Sequence, residues 1–184
     1  MNFEIKTLGE LSRQCLAEEI ANFNQLCGYV RDFNYSRISD KRDLSLVLKE
    51  KRGTCSDKHA FLAAVAQENG RDDIKLMTGI FPLSTVYSGK LVPVLKAGGI
   101  SYVPEAHAYL KYEGKIYDFT RKENTPADIF GKFDAEREAD PYELYISKNE
   151  FHKDYIKEHL DDFPGKSFDD IWRIREACIE TLSR

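Results

Sequence analysis

Cys55, His107 and Asp118 follow one another along this chain as a thiol, an imidazole and a carboxylate. Cysteine-based acyl transfer needs these three types for definite reasons. A free thiol near neutral pH is only a few per cent thiolate, so a neighbouring imidazole is required to populate the nucleophile. The imidazole must later return a proton to the leaving group, and a carboxylate on its other nitrogen fixes the tautomer and the ring orientation. The stretch Arg52-Gly53-Thr54-Cys55 runs into the apolar series Ala60 to Ala66. This pattern predicts a helix starting at Cys55, whose positive end stabilises a thiolate. Its first N–H groups, that of Cys55 included, would meet the oxyanion of a tetrahedral adduct. A second oxyanion donor has no signature in the sequence.

The other two members fall in a two-stranded pattern. Ala106 to Tyr112 and Lys115 to Thr120 flank Glu113-Gly114, which reads as a hairpin turn. With those two residues as the turn, Tyr112 faces Lys115, Leu110 faces Tyr117, Tyr109 faces Asp118 and His107 faces Thr120. Side chains alternate across a strand, so His107, Tyr109 and Lys111 share a face with Ile116, Asp118 and Thr120. His107 and Asp118 become diagonal neighbours within hydrogen-bonding reach.

Other residues compete for roles in the same place. His59 lies one helical turn after Cys55 and on the same face, where it lines the site or rivals His107 as the base. Tyr109, between His107 and Lys111, shapes the pocket or packs. Asp57 complements the helix dipole in the first turn. Cys55, His59, His107 and Asp118 match no familiar zinc spacing, so neither a metal nor a cofactor is expected. Cys15, Cys27 and Cys178 sit in helical apolar patterns and read as packed thiols. There is no Cys-x-x-Cys pair. His152 and His159, seven residues apart on a charged helix, read as a solvated face.

The elements that must position these residues indicate an α+β domain over 1–184: N-terminal helices, an antiparallel sheet carrying the hairpin, and C-terminal helices. Residues 9–32 read as one long helix or two abutting ones, and 41–50 as a short helix capped by Asp40. The Cys55 helix ends at Asn69-Gly70. Ile74 to Phe81 reads as a strand ending at Pro82, and Leu91 to Leu95 as an irregular edge strand. A polar loop with Pro126 and Gly131 spans 121–141, and Tyr142 to Ile146 reads as a last strand. Helices follow over Asn149 to Leu160 and Phe168 to Leu182, the latter turning Phe168, Ile171, Ile174, Cys178 and Leu182 inward. A chain of 184 residues with 42% hydrophobic and 32% charged content is long enough for one well-packed core. The net charge of −4 offers no electrostatic case for nucleic acid or an anionic membrane, and no run approaches the ~20 apolar residues of a membrane span. The N-terminus lacks a secretory pattern, so a cytoplasmic location is expected.

Three short motifs carry a family resemblance. Gly53-Thr54-Cys55 before an alanine- and leucine-rich helix resembles the cysteine motif of the transglutaminase-like superfamily, whose Cys-His-Asp site is papain-like. His107-Ala108-Tyr109 resembles its His-x-aromatic motif, and Asp118-Phe119-Thr120 its Asp-Pro-Thr motif, with Phe119 replacing the proline. Arg52-Gly53-Thr54-Cys55 is more distantly similar to the Arg-Gly-Gly-x-Cys motif of the arylamine N-acetyltransferases, with one glycine missing. The resemblance covers about residues 40–125. It implies that Cys55 is a nucleophile, His107 an acid/base and Asp118 an orienting group, acting on an amide, peptide or thioester. The alternative is a catalytically inactive module of the same fold that binds a peptide or partner protein through its aromatic residues or its 121–141 loop.

Overall fold

The computed structural model describes residues 1–122 and 133–183, and the expected turn residues Pro126 and Gly131 lie outside them. The fold is α+β. Helices α1 (Glu10–Ala17), α2 (Phe23–Arg31), α3 (Leu46–Glu50) and α4 (Cys55–Glu68) precede strand β1 (Lys75–Ser84). Helix α5 (Val92–Gly98) then leads to β2 (Tyr102–Tyr112), β3 (Lys115–Tyr117) and β4 (Ala135–Glu138). Helices α6 (Leu144–Glu158) and α7 (Phe168–Ser183) complete the described chain. The strands form one antiparallel sheet in the order β3-β2-β1-β4. Among the described residues no helix is long and apolar enough to cross a membrane.

Helix α4 is the centre of the molecule. It is buried at every position from Asp57 to Ala66, so it shows no polar face of its own. Alanines at 60, 63, 64 and 66 let neighbouring elements approach closely. Phe61, Leu62 and Val65 join Leu76, Ala108 and Leu110 of the sheet and the apolar residues of α1 and α2 in the main core. Each such large side chain contributes roughly 1.5–3 kcal/mol on burial. A second cluster covers the opposite sheet face, where Phe81, Leu83 and Val103 meet Leu91, Leu95, Ile174 and Cys178. The inward stripe expected on α7 is present, with Ile171 and Cys178 fully buried.

The hairpin has the expected register: Leu110 pairs with Tyr117, Lys111 with Ile116 and Tyr112 with Lys115. Glu113 and Gly114 both take positive φ, 49° and 74°, as a two-residue turn matched to strand twist requires. The facing pairs expected beyond Tyr117 do not form, because β3 stops there and Asp118 to Thr120 leave the sheet. β1 continues past Pro82 to Ser84, with Pro82 opposite Pro104. By the alternation of the ladder this is a non-hydrogen-bonded pair, so two missing N–H groups cost the β1–β2 pairing nothing.

Several expectations are corrected. The Leu91 to Leu95 segment is helical: a 3₁₀ turn over Gly89–Leu91 enters α5, and Pro93 sits in the first helical turn, where its absent N–H is no loss. Tyr142 to Ile146 is not a strand but the approach to α6, which begins at Leu144 rather than Asn149. Tyr142 and Ile146 are exposed while Leu144 is buried. The short alternation mimicked a strand but belongs to a turn, with Asp140 accepting the Tyr142 N–H at 2.8 Å. The last strand is instead β4, inside the stretch read as loop. Residues 9–32 form two helices broken at Glu19, where φ is 60°, and only Leu46–Glu50 of the 41–50 segment is α-helical.

Lys58 ties these parts together. It is fully buried, and its ammonium donates to the carbonyls of Arg31 (3.1 Å), Phe33 (2.8 Å) and Thr120 (2.9 Å). One side chain of α4 thus holds the end of α2, the loop after it and the segment beyond β3. Burial lowers its pKa to about 8, which still leaves it mainly protonated at neutral pH. Lys58→Met removes the shared donor of three carbonyls, and urea denaturation is expected to show a loss of roughly 3 kcal/mol.

Candidate functional site

Cys55 occupies the first position of α4, as its sequence setting predicts. Thr54 precedes it as the cap, and both the backbone N–H and the hydroxyl of Thr54 donate to the Asp57 carboxylate at 2.8 Å. Asp57 is therefore a buried half of a capping arrangement, and it fixes the turn from which the thiol projects.

The thiol lies against the open edge of β2. In the observed register, the N–H groups of Leu110 and Ala108 point toward β3, but β3 has already ended opposite Ala108. The Ala108 N–H donates to the Cys55 sulfur instead. The His107 ring is also within hydrogen-bonding reach of that sulfur. On its far side, His107 Nε2 meets Asp118 Oδ2 at 3.1 Å, which leaves Nδ1 for the thiol. The other Asp118 oxygen accepts the Thr120 N–H at 2.8 Å and the Thr120 hydroxyl. The three residues singled out from the sequence are thus brought together.

His59 is brought in too, but both of its nitrogens are engaged. Nδ1 lies 2.8 Å from the Cys55 carbonyl oxygen, to which it must donate. Nε2 accepts the Phe119 N–H at 2.8 Å. This fixes the neutral Nδ1–H tautomer, and burial lowers the pKa to about 4. His59 clips the segment after β3 to the helix and has no free nitrogen for a base. Tyr109 is fully buried; its hydroxyl donates to Glu136 of β4 and its ring stacks on Phe133 at 4.8 Å. Phe133 lies flat there because Gly79 has no Cβ to meet it. Tyr109 backs the His107 ring, with centroids 6.5 Å apart. His152, expected on a solvated face, is buried, with Nε2 on the Pro104 carbonyl at 2.8 Å. His159 is half-buried and stacks on Tyr155.

Lys148 of α6 escaped the sequence reading. Its Nζ is 3.5 Å from Cys55 Sγ and 3.0 Å from Ser56 Oγ. No pattern marks a lysine 93 residues from the thiol, and the start of its helix reads as a strand in the sequence. Tyr35, itself 43% exposed, lines the same cavity, and negative charge on Cys55 pushes its phenol up, so it stays protonated. A cavity of about 720 Å³ opens beside the thiol, lined by Tyr35, Arg37, Lys41, Ser56, Lys148 and Trp172 among others.

The electrostatics set Cys55 apart. Burial pushes its thiol up, but Lys148 and His107 outweigh burial and bring the pKa down to about 6. Burial pushes His107 down, but Cys55 and Asp118 carry it up to about 10. Asp118 is held well below the usual carboxylate range; burial opposes this and His107 overcomes it. Between those two values the pair rests as thiolate and imidazolium. Burial raises the other three thiols, Cys15 to about 12 and Cys27 and Cys178 in the same direction. Among the described residues no group of three or more His, Cys, Asp or Glu side chains is arranged to hold a metal ion.

No protein-family model, curated protein or solved structure matches this chain.

Iodoacetamide is expected to label Cys55 first, with a rate that falls as pH drops through about 6. His107→Ala moves that midpoint upward, toward the ordinary ~8.5 of a free thiol. His59→Ala moves the midpoint upward by less than His107→Ala does, because Lys58 still holds the segment after β3, and it lowers stability by roughly 1–3 kcal/mol as the Phe119 N–H loses its acceptor.

Proposed function

We propose that this chain is a cysteine-dependent acyltransferase or hydrolase of the transglutaminase-like kind, acting on an amide, peptide or thioester. The observation that carries this reading is a thiol at a helix N-terminus whose pKa lies below the ordinary range despite burial. An imidazole within its reach is oriented by a carboxylate 3.1 Å away. Buried structural thiols shift the other way, as Cys15 and Cys27 do.

In the proposed reaction the Cys55 thiolate attacks the substrate carbonyl carbon, and the carbonyl π electrons move onto oxygen. As the tetrahedral adduct collapses, the carbon–leaving-group bond breaks and His107 Nδ1 delivers its proton to the departing amine or thiol. The product is a neutral thioester on Cys55 and a neutral His107. Water or an amine then attacks the thioester, giving a proton to His107, and the thiolate leaves. Asp118 stays ionised throughout and holds His107 in the orientation that presents Nδ1 to the sulfur. The cavity is in the size range of small-molecule and peptide side-chain pockets. The motif resemblance at Gly53-Thr54-Cys55, His107-Ala108-Tyr109 and Asp118-Phe119-Thr120 points to the same chemistry.

With an activated ester as acyl donor, intact-mass analysis is expected to show one acyl adduct, mapped to Cys55 and lost in Cys55→Ala. Asp118→Asn should fold and still acylate, at a rate reduced by roughly 10²-fold or more. An unmodified wild-type protein, or an adduct on other cysteines, would contradict the proposal.

A further inference from the structure

We infer that Lys148 is the second oxyanion donor of the site, acting with the backbone N–H of Cys55 on the tetrahedral adduct. This inference rests on the acyl-transfer reading above and names a catalytic residue that neither motif nor spacing marks.

The geometry comes first. An oxyanion formed on a carbon bonded to sulfur lies only two bonds from that sulfur. Donors of this kind act at about 3 Å from the oxyanion. Lys148 Nζ, 3.5 Å from Sγ on a flexible four-carbon stem, can swing to that distance from an oxyanion formed on the cavity side of the sulfur. Ser56 Oγ holds the ammonium at 3.0 Å and is itself 3.9 Å from Sγ, so the amine stays on the cavity side of the thiol. The Cys55 N–H is a first-turn donor with no acceptor among the described residues.

The charge balance points the same way. At rest the thiolate faces two cations, Lys148 and the His107 imidazolium. During attack the negative charge passes from sulfur to oxygen. His107 must give its proton to the leaving group, so it cannot also keep a cation beside that oxygen. Lys148 keeps its charge throughout and can follow the electron pair from sulfur to oxygen. Arg37 and Lys41 also line the cavity, but Lys148 is the cation that meets the sulfur, at 3.5 Å; Arg175 is paired with Glu105 and Glu176, and Arg121 lies over the Tyr35 ring at 4.2 Å. The Tyr35 hydroxyl is the competing donor on the same cavity.

Thiolate stabilisation and oxyanion stabilisation separate experimentally. Alkylation by iodoacetamide reads only the thiolate, whereas the acylation burst with p-nitrophenyl acetate reads both. At about pH 9.5, above the ordinary cysteine value of ~8.5, Lys148→Met should alkylate within a few-fold of wild type. Its acylation should be slower by roughly 10²-fold. Lys148→Arg, which keeps the charge, should recover much of the acylation, and Tyr35→Phe should leave the ratio of the two rates unchanged. Parallel loss of both rates in Lys148→Met, or a collapse of the ratio in Tyr35→Phe alone, would overturn the assignment. Absence of acylation in the wild-type protein would overturn the acyl-transfer reading and this one together.

Discussion

Asp118, Phe119 and Thr120 leave the sheet and are caught by the helix that carries the thiol. His59 accepts the Phe119 N–H and Lys58 donates to the Thr120 carbonyl, both from the first two turns of α4. Two consecutive buried polar side chains thereby fix where Asp118 sits relative to Cys55. His107 then has a carboxylate on one nitrogen and a thiol within reach of the other. Everything proposed for the site depends on this clasp, because a strand end in solvent would not hold a carboxylate to one orientation.

The clasp explains two departures from simple expectation. α4 carries Asp57, Lys58 and His59 in a row and buries all three. Burying charged or polar groups is unfavourable unless each is fully partnered, and here the partners are the cap residue, three carbonyls and two backbone groups. The early end of β3 frees the Ala108 N–H from the ladder and makes it a donor to sulfur. A longer hairpin would have closed that edge with a paired strand and left no room for the thiol.

Charge is arranged around Cys55 so that burial, which raises the other three thiols, is overcome at one position only. A lysine from α6 supplies the largest single part of this, His107 a further part, and the Ala108 N–H adds to both. The two cations differ in kind. An imidazolium can give its proton away during a reaction, while a lysine ammonium keeps it, which allows a division of labour between proton transfer and charge stabilisation.

Much of the site was legible in the chain. The glycine, cap residue and apolar run around Cys55 specify a helix start, because capping and periodicity are local properties. The two-residue turn at Glu113-Gly114 set the register as far as Tyr117, since alternation follows from the turn alone, but Asp118 lies beyond the strand and is placed by the clasp to α4. Local rules failed where the pattern was short: Leu91 to Leu95 and Tyr142 to Ile146 read as strands over only five residues and instead enter helices α5 and α6. His152 looked solvated because its charged neighbours on α6 are, whereas its own direction depends on the packing of α6 on β2. His59 as a clip, Tyr109 anchored on Glu136, and Lys148 beside the thiol are the decisions of tertiary structure. Each joins residues at least 25 positions apart, and no local periodicity reports which distant side chain will meet a given atom.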